Sequence, residues 1–156
     1  MTPDPLFDFT GKVALVTGGS RGLGYRMVKA LAERGADVIV ASRKLDKCEE
    51  VAAECRALGR RAMAHSVHCG RWDEIDGLIA ATYAEFGRVD ILINNAGMSP
   101  ACPSHEMPEN LFDSVLNLNF KGPFRLASQV AHRMSAGDGG AIINISSTGA
   151  LMALPM

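Results

Sequence analysis

Five short apolar runs, all but the last followed by a helical pattern, constrain this chain more than any other feature. They are Lys12 to Thr17, Asp37 to Ala41, Ala62 to Val67, Val89 to Ile93 and Ala141 to Ile145. Between them, Leu23, Met27, Val28 and Leu31 recur at helical spacing and stop at Gly35, and Leu45 to Leu58 reads as a charged helix closed by Gly59. Ile75, Leu78, Ile79, Thr82 and Phe86 mark the clearest amphipathic helix, ended by Gly87. A long helical pattern then runs from Pro108 to about Met134. Strand and helix alternating at this spacing require parallel pairing through right-handed crossovers. Runs that are apolar throughout, rather than alternating, suit a sheet covered by helices on both faces. The expected fold is α/β, one open, doubly wound parallel sheet in the strand order 3-2-1-4-5.

Composition narrows the function classes. Hydrophobic residues make up 47% of the chain, enough for one domain with a sizeable core. With 16 basic and 17 acidic residues the net charge is -1, so neither a nucleic-acid nor a membrane partner is expected. No apolar run is long enough to span a bilayer, and Thr2-Pro3-Asp4-Pro5 does not open a secretory signal, so a cytoplasmic location is expected. Cys48, Cys55, Cys69 and Cys102 form no CxxC pair. Cys48 and Cys55 lie about 10 Å apart along a helix, too far for a disulfide, and reduced thiols are the expectation. His65, His105 and His132 have no metal-like spacing, and no metal site is expected.

Two strand ends carry the chemistry. Asn94-Asn95-Ala96-Gly97 follows the fourth run, with two amides and two small residues where backbone must approach a flat polar ligand. Thr17-Gly18-Gly19-Ser20-Arg21-Gly22-Leu23-Gly24 follows the first. Strand ends in open parallel sheets are where such ligands bind. Its Gly18-x-x-x-Gly22-x-Gly24 pattern is one insertion away from the common GxGxxG fingerprint. The physics is the same: glycines let a pyrophosphate approach the backbone at the N-terminus of the next helix. A glycine turn can also simply join a strand to a helix, but the strand before and helix after favour dinucleotide binding. Residues 1–9 then read as a lead-in and 10–156 as a dinucleotide-binding Rossmann domain whose C-terminal strands are missing. Ser42, Arg43 and Lys44 end the second strand where an acid would hold a free ribose 2'-hydroxyl. Arg43 and Lys44, with Arg21 from the glycine turn, can pair with a 2'-phosphate instead. NADP is therefore expected in preference to NAD.

The chain resembles the N-terminal part of a short-chain dehydrogenase/reductase from about Phe9 to its last residue. The resemblance rests on Thr17-Gly18-x-x-x-Gly22-x-Gly24, Asn94-Asn95-Ala96-Gly97, Asn117-Leu118-Asn119 and Ile143-Asn144-Ile145-Ser146-Ser147, in that order. It implies hydride transfer between a nicotinamide cofactor and a small carbonyl or alcohol substrate. It also implies a homo-oligomer for a full-length protein. Ser147 aligns with the family's catalytic serine, which hydrogen-bonds the substrate oxygen. Asn119 aligns with the asparagine that fixes a water in a proton relay. Gly18, Ser20, Arg21, Gly22, Leu23, Gly24, Asn95, Ala96 and Gly97 fall to the cofactor, with Ser42, Arg43 and Lys44 at its adenosine end. His68 stands near the position where the family usually places an aspartate close to the adenine, and is kept as a cofactor contact beside a surface-loop reading.

The family's remaining pair, a tyrosine with a lysine four positions later, would begin shortly after Met156. Tyr25 and Tyr83 lie on other predicted helices and are not expected to replace it. An inactive dinucleotide-binding fragment is accordingly the alternative reading. A methyltransferase of similar fold is opposed by Ser42-Arg43, where those enzymes usually carry an acid. Met98 to Ala101 and Leu151 to Leu154 would flank the substrate, and their apolar character suggests a hydrophobic carbonyl compound. Pro123 has no N–H, so a helical kink is expected over Asn119 to Pro123, leaving the Asn119 carbonyl without its helical partner.

Overall fold

A computed structural model of the protein describes residues 4–150. Five strands form one parallel sheet in the order β3-β2-β1-β4-β5, as the sequence pattern requires. They are β1 (Val13–Thr17), β2 (Asp37–Ser42), β3 (Ala62–Ser66), β4 (Ile91–Asn94) and β5 (Ala141–Asn144). The connecting helices are α1 (Gly22–Glu33), α2 (Leu45–Ala57), α3 (Trp72–Phe86), α4 (Glu109–Leu116) and α5 (Gly122–Ser135).

Side chains alternate across a strand, so each strand feeds two cores. Val13, Leu15, Ile39, Ala41 and Leu92 pack with Ile75, Leu78 and Ile79 of α3 and Leu126, Val130 and Met134 of α5. Ala14, Val16, Val38, Val40 and Ile93 pack on the opposite face with Val28 and Leu31 of α1 and Val51 and Ala52 of α2. Cys48 and Cys55 join that second core as buried free thiols, and Cys69 is a free thiol in the first. The central strands are covered on both sides, whereas β3 and β5 are the edges. β3 is only half-buried, and Ala141, Ile143 and Asn144 of β5 are exposed. The expectation of strands buried on both faces therefore holds for β1, β2 and β4 and fails at the edges, where one neighbour is lacking.

The sheet reverses direction of growth at β1, which pairs with β2 on one side and β4 on the other. Loops leaving the carboxyl ends of β1 and β4 diverge there, and a crevice opens between them. The long helical pattern from Pro108 is broken between α4 and α5, but not by a simple proline kink. A π-turn occupies Asn117–Lys121, and the Gly122 N–H donates to the Asn117 carbonyl five residues back. Pro123 sits in the first turn of α5, where its missing N–H costs least. No helix among the described residues is long and apolar enough to cross a membrane.

Candidate functional site

A cleft of about 660 Å³ lies at the carboxyl ends of the central strands. It brings together twelve of the expected cofactor residues: Gly18, Ser20, Arg21, Gly22, Leu23, Gly24, Ser42, Arg43, Lys44, Asn95, Ala96 and Gly97. Leu23 is 59% exposed and faces this cleft rather than the helix core its spacing first suggests.

Close packing explains the glycines. Gly18 has φ +66°, a left-handed conformation that side chains resist. A Cβ on Gly24 would collide with the Gly18 carbonyl, so only glycine lets α1 start against the turn. Arg21 supplies no side-chain cap to α1, which leaves the first N–H groups of that helix for a ligand. Lys44 likewise does not cap α2.

Thr17 ties the two motifs together. Its hydroxyl, on a residue 1% exposed, accepts the Asn95 N–H at 3.0 Å and the Ala96 N–H at 3.1 Å, and donates to the Ile93 carbonyl at 3.3 Å. The Asn95 amide donates in return to the Thr17 carbonyl at 2.9 Å. The Asn94 amide reaches the other way, donating to Asn144 Oδ1 at 2.9 Å. Strand ends β1, β4 and β5 are thereby laced into one platform.

The wall formed by the start of α2 is cationic. Arg43, Lys44 and Lys47 line the cleft there, Arg21 joins them from the glycine turn, and no carboxylate is among the lining residues. Beside them Ser20 Oγ donates to Ser42 Oγ at 2.9 Å, a hydroxyl pair suited to a ribose or phosphate oxygen.

Three expected site residues stand outside this lining. His68 lies between Val67 and Cys69, which do line the cleft. Its own N–H donates to Glu74 Oε2 at 2.6 Å, and its Nδ1 accepts the Gly70 N–H at 3.1 Å. The His68 N–H, then Arg71, hold the Glu74 carboxyl below its ordinary range. Asn119 uses its side chain on the Met98 backbone, accepting the N–H at 3.0 Å and donating to the carbonyl at 2.7 Å. That clasp fixes the loop after β4 against the π-turn and leaves the Asn119 backbone carbonyl outside the α-helical ladder, since Pro123 cannot donate. Ser147 is exposed, and its hydroxyl accepts the Gly149 N–H at 3.1 Å in a local turn. Leu151 to Leu154, expected beside a substrate, lie outside the described residues.

Sequence reasoning passed over Thr17, Lys47, Val67, Cys69 and Leu118 as site residues. Side-chain alternation along an extended segment was a usable signal, for it puts Val67 and Cys69 on one side and His68 on the other. Burial pushes the Cys69 thiol up to about 12. A tyrosine with a lysine four positions on does occur, as Tyr25 and Lys29, but Glu54 of α2 holds both, at 2.9 Å and 3.2 Å. The Glu54 hydrogen bond pushes the Tyr25 phenol up, opposite to what an acid/base tyrosine needs, and neither residue lines the cleft. No group of three His, Cys, Asp or Glu side chains suited to a metal occurs among the described residues.

Comparison with known proteins agrees with this architecture. The chain is 39% identical over 142 residues to 2-dehydro-3-deoxy-D-gluconate 5-dehydrogenase of Escherichia coli strain K12, covering 90% of this chain and 55% of that enzyme. It superposes with TM-score 0.85 and 36% identity on a metagenomic short-chain oxidoreductase in complex with NADP, covering 89% of this chain and 63% of the other. A 7α-hydroxysteroid dehydrogenase complexed with NADH and 7-oxo glycochenodeoxycholic acid superposes with TM-score 0.91 and 32% identity, covering 95% and 58%. The chain thus spans 55% to 63% of the length of these relatives. The family model for short chain dehydrogenase matches residues 12–156, and the chain belongs to that family of oxidoreductases.

Proposed function

We propose that this chain provides the NADP(H)-binding part of a short-chain dehydrogenase/reductase that transfers hydride between NADP(H) and a carbonyl or alcohol. The observation that carries the cofactor choice is the set of cations on the cleft, Arg43, Lys44 and Lys47 at the start of α2 and Arg21 from the glycine turn, with no carboxylate in the lining. An NAD site needs an acceptor for the ribose 2'-hydroxyl, normally a carboxylate, whereas a 2'-phosphate needs cations. Relatives with NADP and with NADH share the fold, so the fold alone does not choose between them.

The residues present fit the group. Gly18 and Gly24 let the turn, α1 and Asn95 pack closely, Gly22 leaves open space at the start of α1, and the uncapped N–H groups of that helix would donate to a pyrophosphate there. Arg43 and Lys44, with Arg21, would hold the 2'-phosphate. Asn95 and Ala96, kept in place by Thr17, and Gly97 would contact the nicotinamide half. When bound, the cofactor supplies the hydride. Ser147 would donate to the substrate oxygen, and the Asn119 carbonyl would hold a water that relays the proton. The acid/base group itself is not among residues 1–156 in this reading, since Tyr25 is committed to Glu54. An inactive dinucleotide-binding protein remains the second reading, favoured by that same observation.

Titration of the purified protein with NADPH and NADH, read by nicotinamide fluorescence, tests the cofactor assignment. NADPH should bind about tenfold tighter or more, since one charge-assisted contact contributes about 1.5–3 kcal/mol. Arg43→Asp should abolish or reverse the preference. Equal affinity for the two cofactors, before and after that change, would remove the proposal.

A further inference from the structure

Among the four cations on the cleft wall, Lys47 differs from the rest. Arg21, Arg43 and Lys44 have no carboxylate partner among the described residues, whereas the Lys47 ammonium sits 2.6 Å from Glu50 Oε1. Lys44 is the N-cap of α2 and Lys47 lies in its first turn, and both line the cleft. A cation in the first turn of a helix is opposed by the helix dipole, which an anion beside it relieves. Glu50 supplies such an anion from one side, and the cleft presents a place for a second from the other.

We propose that Lys47 is a further specificity-determining residue for the 2'-phosphate of NADP(H), and that Glu50 tunes the preference by holding the same ammonium. The inference rests on the NADP(H) reading given above. Both side chains of the pair are about half exposed, 51% and 60%, so the ammonium is free to swing on its four-carbon stem. An exposed pair three residues apart is a weak restraint, whereas a phosphate dianion carries more charge than a carboxylate. An ammonium has three donors and can serve both groups at once. Glu50 therefore subtracts from what Lys47 gives the phosphate without cancelling it. With Glu50 neutral, Lys47 acts unopposed. With Lys47 removed, Glu50 has nothing to act through except long-range repulsion, which salt screens beyond about 8 Å.

A double-mutant cycle on the purified protein, titrated with NADPH and NADH at physiological salt, tests this. Lys47→Gln should weaken NADPH by about fivefold or more and NADH much less, Lys47→Arg should restore most of the loss, and an unchanged urea midpoint is the control for folding. Glu50→Gln should tighten NADPH by about two- to fivefold, the strength of an exposed pair, and this gain should largely vanish in the Lys47→Gln background. A wild-type protein with no preference for NADPH overturns the underlying reading, and this inference with it. A wild-type preference that survives Lys47→Gln undiminished overturns the inference alone. Glu50→Gln leaving NADPH affinity unchanged, or raising it equally with and without Lys47, overturns the assigned link between the two residues.

Discussion

Replacing Thr17 by valine keeps the shape of a side chain that is 1% exposed and deletes one hydroxyl. That hydroxyl is the acceptor for the Asn95 and Ala96 N–H groups, at 3.0 Å and 3.1 Å, in the loop that floors the cleft. Leaving a buried donor unsatisfied costs about 1–3 kcal/mol, and both groups are only partly buried, so the low half of that range applies to each. The expected loss is about 2–4 kcal/mol. Thr17→Ser is the informative companion. It retains the acceptor and removes one buried methyl, a change that costs about 0.5–1.5 kcal/mol. A view in which Thr17 merely fills space ranks the two variants the other way, because valine preserves volume and serine does not. Urea unfolding with an unchanged slope should therefore place the Thr17→Val midpoint below that of Thr17→Ser, with wild type highest. NADPH affinity should fall in the same order, since the displaced loop is part of the site. A Thr17→Val protein as stable as wild type, or more stable than Thr17→Ser, would refute the hydroxyl's role in holding the loop.

Gly122→Ala should destabilise the protein by about 1–3 kcal/mol, because a Cβ there would collide with the Cys69 carbonyl. Helix propensity alone predicts the opposite sign, a gain of about 1 kcal/mol, so a urea midpoint decides between them. Alkylation at pH 8 followed by mass spectrometry should label Cys102 first and leave Cys48 and Cys69 unmodified in the folded protein. Burial pushes these two thiols up to about 11 and about 12, so both stay protonated and inaccessible well above that pH. For Cys69 the direction also implies that stability falls as pH rises above the ordinary thiol range, because unfolding releases a thiol that ionises more readily.

The parts of this structure that were legible in the sequence depend on periodicity and on glycine. Strand order followed from five apolar runs spaced by helices, since parallel pairing and crossover handedness leave few alternatives. The glycine turn was legible because Gly18 and Gly24 are demanded by backbone geometry and close approach, which no other residue satisfies. Asn119 and Pro123 signalled a break in the long helix, but its form, a π-turn closed by Gly122 and Asn117, depends on how α5 packs against the loop after β3. The cleft wall was only half legible. Arg43 and Lys44 follow a strand and announce themselves, whereas Lys47 reads as one more charge on a charged helix until the helix is placed beside the cleft. Thr17 looked like an ordinary strand residue because its partners, Asn95 and Ala96, are 78 and 79 positions away in the chain.

The central claim, that the cationic wall at the start of α2 is built for a 2'-phosphate, is tested most directly by comparing 2',5'-ADP with 5'-AMP in calorimetric titrations. Those two probes share the adenosine end and differ only in the group at issue. The account predicts that 2',5'-ADP binds about tenfold tighter or more, with an advantage that shrinks as salt is raised. Equal affinities at low salt, or tighter binding of 5'-AMP, would contradict it.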